Sequence, residues 1–132
     1  MVLDSNIIIS ALLFGGNPGK IFKLCIYSHE FTGCISPELL AELLSKLKYK
    51  FEVNQTESDI IKEMIISSFE YTLVSGKVNI CRESMNNMVL ELAVSCKADY
   101  IITGDRDLLD LKKINDTNII TPAKFFQIHK EQ

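Results

Sequence analysis

The sequence is poor in the residues from which zinc sites and disulfide frameworks are built. It has only two histidines and four cysteines, and no two cysteines have the C-x-x-C spacing. A structural zinc site needs several closely spaced Cys or His ligands, so none is expected. We interpret the cysteines as reduced, partly buried thiols; they are Cys25, Cys34, Cys81 and Cys96.

The glycine and serine motifs of common enzymes are also missing. No G-x-G-x-x-G and no P-loop follows the first apolar run, which argues against nucleotide binding through a glycine loop. There is no G-x-S-x-G motif, so a nucleophilic serine at a strand–helix elbow is not indicated. The chain has no repeats, low-complexity tracts or linkers, and its 132 residues predict a single domain over residues 1–132.

Long hydrophobic runs and an excess of positive charge are absent as well. The uncharged stretch from Ser5 to Gly19 is too short and too rich in glycine and proline to span a bilayer, and no basic segment precedes it. The formal net charge of −3 argues against nucleic-acid binding by bulk electrostatics, so such binding would need a local basic patch or a bound metal. We expect a soluble cytoplasmic protein with no membrane partner.

Short apolar runs alternate with segments of helical periodicity. The runs predict strands at residues 1–3, 31–35, 71–74, 100–103 and 119–121. The helical spacing predicts helices at residues 21–25, 36–50, 56–65, 85–96, 107–111 and 122–128. Residues 6–13 are either a buried helix or a continuation of the first strand. This alternation predicts an α/β fold with a mainly parallel sheet of about five strands and helices on both faces.

Two helix starts carry specific signals. Ser36 followed by Pro37 predicts an N-cap serine with proline in the first turn. The segment from Thr56 to Asp59 resembles a capping box with aspartate in place of glutamate.

Two aspartates follow predicted strands. Asp4 ends the first strand and Asp105 ends the fourth. Ligands of open α/β sheets bind outside the carboxyl ends of strands, so these carboxylates converge if the two strands are neighbours where the strand order reverses. Glu42 lies in the second turn of the helix that Ser36 starts, near the same edge. Such oxygen ligands suit Mg²⁺, and two ions ~3.5–4 Å apart would hold both reacting oxygens of a phosphodiester.

Each acid also has a plainer interpretation. An aspartate after a strand is more often a helix N-cap than a ligand, and Asp107 has the position to cap the helix that follows it. Glu42 taken alone would be a solvated helix residue. The residues by themselves therefore indicate an α/β domain with an acidic metal site.

Three segments match the pattern of a known family. They are D-S-N-I-I-I-S-A-L-L from Asp4, S-P-E-L-L-A-E-L from Ser36, and A-D-Y-I-I-T-G-D-R-D-L-L from Ala98. Through them, and over nearly its whole length, the chain resembles the PIN domain, specifically the small bacterial and archaeal toxins of toxin–antitoxin pairs. The resemblance implies a three-layer α/β/α, Rossmann-like fold and an endoribonuclease that uses Mg²⁺ or Mn²⁺ and a metal-activated water. It also implies an antitoxin protein as partner and a homodimer.

The resemblance assigns roles to individual residues. The catalytic acids and metal ligands would be Asp4, Glu42 and Asp105, with Asp107 as an auxiliary acid. Three polar residues would orient the carboxylates and a water: Ser5, Asn6 and Thr103. Basic residues would contact RNA phosphates, although the lysines among them equally suit a solvated helix end; they are Lys46, Lys48, Arg82 and Arg106.

One position departs from the family pattern. The stretch R-E-S-M-N-N-M from Arg82 stands where the family usually has R-D-P-x-D-N-K, so Asn86 occupies the place of an aspartate. Asparagine keeps a carbonyl oxygen and loses the charge, which would make it a weak metal ligand. Either the enzyme works with fewer acids, or Glu83 or Glu91 supplies the missing carboxylate, or the protein is an attenuated scaffold that binds protein or RNA.

Two further alternatives remain open on the sequence. Asn86 is also a favoured residue for capping the helix that follows. A flavodoxin-like domain that binds a small molecule without metal dependence would have the same alternation of strands and helices.

Overall fold

The computed structural model describes residues 1–75 and 77–130. Within these ranges the helices are α1 (Ser5–Leu13), α2 (Gly16–Tyr27), α3 (Pro37–Tyr49), α4 (Gln55–Ser68), α5 (Ser84–Ser95), α6 (Arg106–Leu109) and α7 (Pro122–Ile128). The strands in the same ranges are β1 (Val2–Leu3), β2 (Cys34–Ile35), β3 (Glu70–Tyr71), β4 (Tyr100–Ile102), β5 (Lys113–Ile114) and β6 (Thr117–Ile120).

The strands form one sheet in the order β3-β2-β1-β4-β6-β5. All neighbours are parallel except β5 and β6, which pair antiparallel. The predicted α/β class with a mainly parallel sheet is therefore confirmed. The edge strand β5 was not predicted, because it is two residues long and no apolar run marks it.

The order of the strands reverses at β1. Val2 pairs with Cys34 of β2 on one side and with Ile101 of β4 on the other. Leu3 pairs with Ile102, so both strands end at the same level. Asp4 follows one of these strands directly, and Thr103 follows the other. This is the crevice at which open α/β sheets bind ligands.

The core is built from aliphatic side chains, and α3 shows how the sequence produces it. Leu39, Leu43 and Leu47 recur at every fourth position and are buried. Burial of one such side chain contributes about 1.5–3 kcal/mol. Helix α3 packs against α1, α4 and α5, and α5 packs on β1, β2 and β4. Both helices are thereby held in fixed positions beside the carboxyl edge of the sheet.

Of the two predicted helix caps, the one of α3 agrees with the structure and the one of α4 does not. The Ser36 hydroxyl accepts a hydrogen bond from the Leu39 amide at 3.2 Å, which confirms the predicted cap of α3. The predicted capping box at residues 56–59 is wrong, because Asn54 caps α4 through the Glu57 amide at 2.8 Å. Asparagine is more favoured at an N-cap than threonine, the cap residue of the predicted box, and Asn54 comes earlier in the chain.

Several other boundaries differ from the predictions. Residues 6–13, for which helix and strand were both open, are helical within α1. The third strand lies at Glu70–Tyr71 rather than at 71–74, since it pairs only with Cys34 and Ile35. The four cysteines are free in the described ranges, Cys25 and Cys34 buried and Cys81 and Cys96 partly buried.

Within the described ranges no single helix is both long enough and apolar enough to cross a membrane. Helices α1 and α2 reach that length and hydropathy only when they are taken together, and a bend of 102° separates them.

Candidate active site

A cavity of about 370 Å³ opens at the carboxyl edge of the sheet, where β1 and β4 end. Helices α3 and α5 supply its other walls. Its polar lining comprises Asp4, Asn6, Glu42, Ser45, Lys46, Glu83, Asn86 and Asp105. The structure thus brings the three predicted acids and Asn86 to one place, although they lie on four different elements of the chain.

Asp4 is the most enclosed acid of this cavity, with 7% of its surface exposed. One carboxylate oxygen accepts a hydrogen bond from the Thr103 hydroxyl at 2.8 Å, across the junction of β1 and β4. Burial raises the pKa of the Asp4 carboxyl, and the Thr103 hydrogen bond opposes that shift only in part. Asp4 occupies the N-cap position of α1, where its side chain makes no hydrogen bond of full capping geometry, although the Asn6 backbone amide interacts with the carboxylate and opposes part of the rise in its pKa. Capping of α1 is therefore at most a part of what this acid does.

Thr103 also links the two strand-end acids. Its hydroxyl accepts a hydrogen bond from the Asp105 amide at 3.0 Å while it donates to Asp4. Thr103 is fully buried, so this link is sheltered from water. The arrangement holds the backbone of Asp105 in a fixed position relative to the Asp4 carboxylate.

The two carboxylate oxygens of Asp105 have different hydrogen-bond partners. One oxygen accepts a hydrogen bond from the Asp107 amide at 2.8 Å and so caps α6. The other lies 3.4 Å from the amide nitrogen of Asn86. The alternative in which Asp107 caps this helix is wrong, because Asp105 does so.

Asn86 lies inside α5, and its side chain turns towards the cavity. It is 5% exposed, and its amide donates the long hydrogen bond to Asp105. The N-cap position of α5 belongs to Glu83, so the interpretation of Asn86 as the cap is wrong. An aspartate here would face the Asp105 carboxylate directly.

Glu42 is held by two partners on one oxygen. The Ser5 hydroxyl donates to it at 2.5 Å, and the Lys46 amine lies 3.0 Å away. The same amine reaches the Ser5 hydroxyl and the Asn6 side-chain oxygen, each at 3.2 Å. Lys46, which we predicted as an RNA contact, therefore points into the acidic cavity. The i, i+4 spacing of Glu42 and Lys46 was a sequence signal for this pair.

The other predicted site residues lie elsewhere. Arg82 and Asp107 form an ion pair at 3.1 Å, with the Arg82 side chain largely exposed. The predicted RNA contact and the predicted auxiliary acid therefore neutralise each other. The Lys48 amine stands 5.2 Å from the centre of the Tyr49 ring, and Arg106 is exposed.

The two glutamates considered as substitutes for the missing aspartate have different surroundings. Glu83 is exposed and lines the cavity. Glu91 is buried and accepts hydrogen bonds from the amides of Lys77 and Val78, at 2.8 and 2.9 Å. Glu91 thus holds a loop, and only Glu83 remains in position to add a carboxylate.

The donor set of the cavity fits a hard divalent cation in kind. Carboxylate and amide oxygens are the ligands that Mg²⁺ takes, and it commonly uses one or two carboxylates together with waters. Within residues 1–75 and 77–130, however, no three His, Cys, Asp or Glu side chains stand close enough together to hold one ion. Any one ion in this cavity would therefore meet at most two of these acidic side chains, and amide oxygens or waters would complete its ligands.

Comparison with known proteins agrees with this architecture. A family model described as the PIN domain matches residues 1–107, which is more than half of the chain. A search of curated proteins finds no match.

Proposed function

The chain belongs to the PIN-domain family, and from that premise we propose that it is a metal-dependent endoribonuclease which hydrolyses RNA phosphodiesters at the acidic cavity. PIN domains are generally nucleases, so hydrolysis is the expected class of reaction. The observation that carries the proposal is the meeting of Asp4 and Asp105 in one cavity where the strand order reverses.

The proposed roles follow from the contacts of each side chain. Asp4 and Asp105 would hold Mg²⁺ or Mn²⁺, and Asn86 would offer a weak third oxygen. Such an ion, when bound, polarises a phosphoryl oxygen and lowers the pKa of a water. Thr103 orients Asp4 through its hydroxyl, and Ser5 orients Glu42, the third acid of the set.

A second candidate function has its own support. Asn86 replaces a charged ligand, and Lys46 already neutralises Glu42. A cavity with two fewer free negative charges would bind metal weakly and cut slowly. In this alternative the chain is an attenuated PIN scaffold that binds protein or RNA.

We further propose the finer assignments that the likeness to small prokaryotic toxins suggests. They comprise a single domain over residues 1–132, a toxin role beside an antitoxin protein, a homodimer and a cytoplasmic location. Light scattering during size exclusion tests the dimer, since a constant monomer mass over a wide concentration range would contradict it.

The proposed activity is tested by incubating the purified protein with a panel of single-stranded RNAs. We expect cleavage with Mg²⁺ or Mn²⁺, no cleavage in EDTA, and loss of cleavage in Asp4→Asn. A matched control is Asp116→Asn, which removes one exposed carboxylate outside the cavity and should leave cleavage intact. Intact RNA across the panel, together with tight RNA binding, would favour the scaffold alternative.

A further inference from the structure

We propose that the ammonium group of Lys46 is a built-in cation that fills one end of the acidic cavity, so that the cavity takes one divalent ion and not two. The inference deepens the proposed function and rests on its metal-binding part. It assigns Lys46 a place among the oxygens of the cavity, rather than on the RNA surface.

The Lys46 amine is surrounded by three oxygen atoms, as a bound cation would be. An ammonium group has three N–H donors. The amine lies 3.0 Å from the Glu42 carboxylate, 3.2 Å from the Ser5 hydroxyl and 3.2 Å from the Asn6 side-chain oxygen. Each donor thus has an oxygen partner, and the three partners come from two different helices.

The burial of the pair separates it from an ordinary surface ion pair. The side chains of Lys46 and Glu42 are only 26% and 17% exposed. Lysines on solvated helix faces usually extend into water, as the long stem allows. Here the amine instead lies beside Glu42, one turn earlier on α3, and Lys46 lines the cavity.

The charges of the cavity are then partly balanced from within. Lys46 pairs with Glu42 and also lies near enough to Asp4 to oppose part of the rise that burial causes in the pKa of that carboxyl. Asp105 faces the neutral Asn86 amide, and Asp4 and Asp105 together offer two carboxylates, which suffice for one hydrated divalent ion. A second ion would have to displace the ammonium group to reach Glu42, Ser5 and Asn6.

Removal of the amine should therefore open the second position. Lys46→Met keeps an unbranched stem of similar length and removes the charge and all three donors. We expect calorimetric titration with Mn²⁺ to give one ion per chain for the natural protein and two for Lys46→Met. Lys48→Met is the matched control, because its amine faces the Tyr49 ring, and it should bind one ion.

A second variant guards against a folding defect. Lys46→Gln removes the charge and keeps N–H donors on a shorter side chain, and circular dichroism checks the fold of each variant. Asp4→Asn should abolish binding of the ion in the natural protein, whereas Glu42→Gln should retain it. These variants test which end of the cavity the single ion occupies.

The outcomes distinguish the inference from the proposed function. Two ions in the natural protein, or a single ion per chain in both Lys46→Met and Lys46→Gln, would overturn the inference alone. If neither the natural protein nor the Lys46 variants bound Mn²⁺, both the inference and the metal-dependent function would fall.

Discussion

At the scale of single residues, Asp4 combines a structural cost with a proposed role. Its carboxylate is almost fully buried, and burial raises its pKa above the ordinary aspartate value. The folded state therefore binds a proton on Asp4 more readily than the unfolded state does. Ionised Asp4 lowers the stability of the fold at neutral pH; this loss begins to shrink once the pH falls below the raised pKa and is gone below the ordinary pKa of aspartate.

Asp4→Asn should accordingly raise the melting temperature at pH 7 in EDTA, even though it should abolish cleavage. The difference between the two proteins should shrink as the pH approaches the ordinary pKa of aspartate, because Asp4 is then protonated. Differential scanning fluorimetry over a pH series measures both effects. A lower melting temperature for Asp4→Asn at pH 7 would contradict this account and would indicate that the Thr103 hydrogen bond outweighs the cost of burial.

Asn86 is the residue at which stability and metal affinity should diverge most. Its amide donates to Asp105, and an aspartate in its place would set two carboxylates side by side. We expect Asn86→Asp to lower stability by about 1–3 kcal/mol without metal, since a hydrogen bond is exchanged for repulsion between like charges. With Mn²⁺ the same variant should gain more in melting temperature than the natural protein and should cut RNA faster.

Asn118→Asp provides the control for this substitution, because it adds the same charge at an exposed position of β6. Equal gains with Mn²⁺ in Asn86→Asp and in the natural protein would mean that another group already supplies the carboxylate. Glu83→Gln would then identify that group, since Glu83 lines the same cavity.

At the scale of elements, α5 organises the segment that precedes it. The Asn87 side-chain oxygen accepts hydrogen bonds from the amides of Ile80 and Cys81, and its nitrogen donates to the Cys81 carbonyl. Glu91, one turn further on, accepts hydrogen bonds from two backbone amides of the same segment. Two polar side chains of α5 thus provide hydrogen-bond partners for the backbone of residues 77–81, a segment that belongs to no strand or helix.

Asn87→Ala should release this segment. It would leave two backbone amides without their partner, at a cost of about 1–3 kcal/mol. Hydrogen exchange should increase at residues 77–81 and much less in β1 and β4. Asn118→Ala is the exposed control, and unchanged exchange in Asn87→Ala would show that the loop is held by other contacts.

The elements also show what local sequence can predict. Helix α3 was predicted with its cap, its proline and its buried leucines, because each of these signals acts within a few residues. The start of α4 was predicted from the segment 56–59 alone, whereas Asn54 caps the helix two residues earlier than Thr56. The strand β5 was missed because its residues have no apolar alternation.

At the scale of the whole molecule, the proposed ion would join strands that are distant in the chain. Thr103 and Asp4 are 99 residues apart in sequence and yet share a hydrogen bond at the centre of the sheet. A ligand that binds only when β1 and β4 are paired stabilises the entire fold, since both strands must separate on unfolding.

Mn²⁺ should therefore raise the free energy of unfolding of the natural protein, by about 2.7 kcal/mol at roughly 100 times its dissociation constant. Chemical denaturation with and without the ion measures this gain. Asp105→Asn should remove most of it, whereas Asp110→Asn, which alters an exposed residue just after α6, should not. A gain of equal size in Asp105→Asn would place the ion elsewhere.

The sequence by itself determined the alternation of strands and helices, the cap of α3 and the position of two aspartates at strand ends, because these depend on periodicity and on near neighbours. Only the tertiary structure decided that β1 lies beside β4, that Asn86 faces Asp105, and that the Lys46 amine also reaches Ser5 and Asn6 of α1. Those contacts join segments far apart in the chain or choose one side of a helix, and they depend on how all the elements pack together.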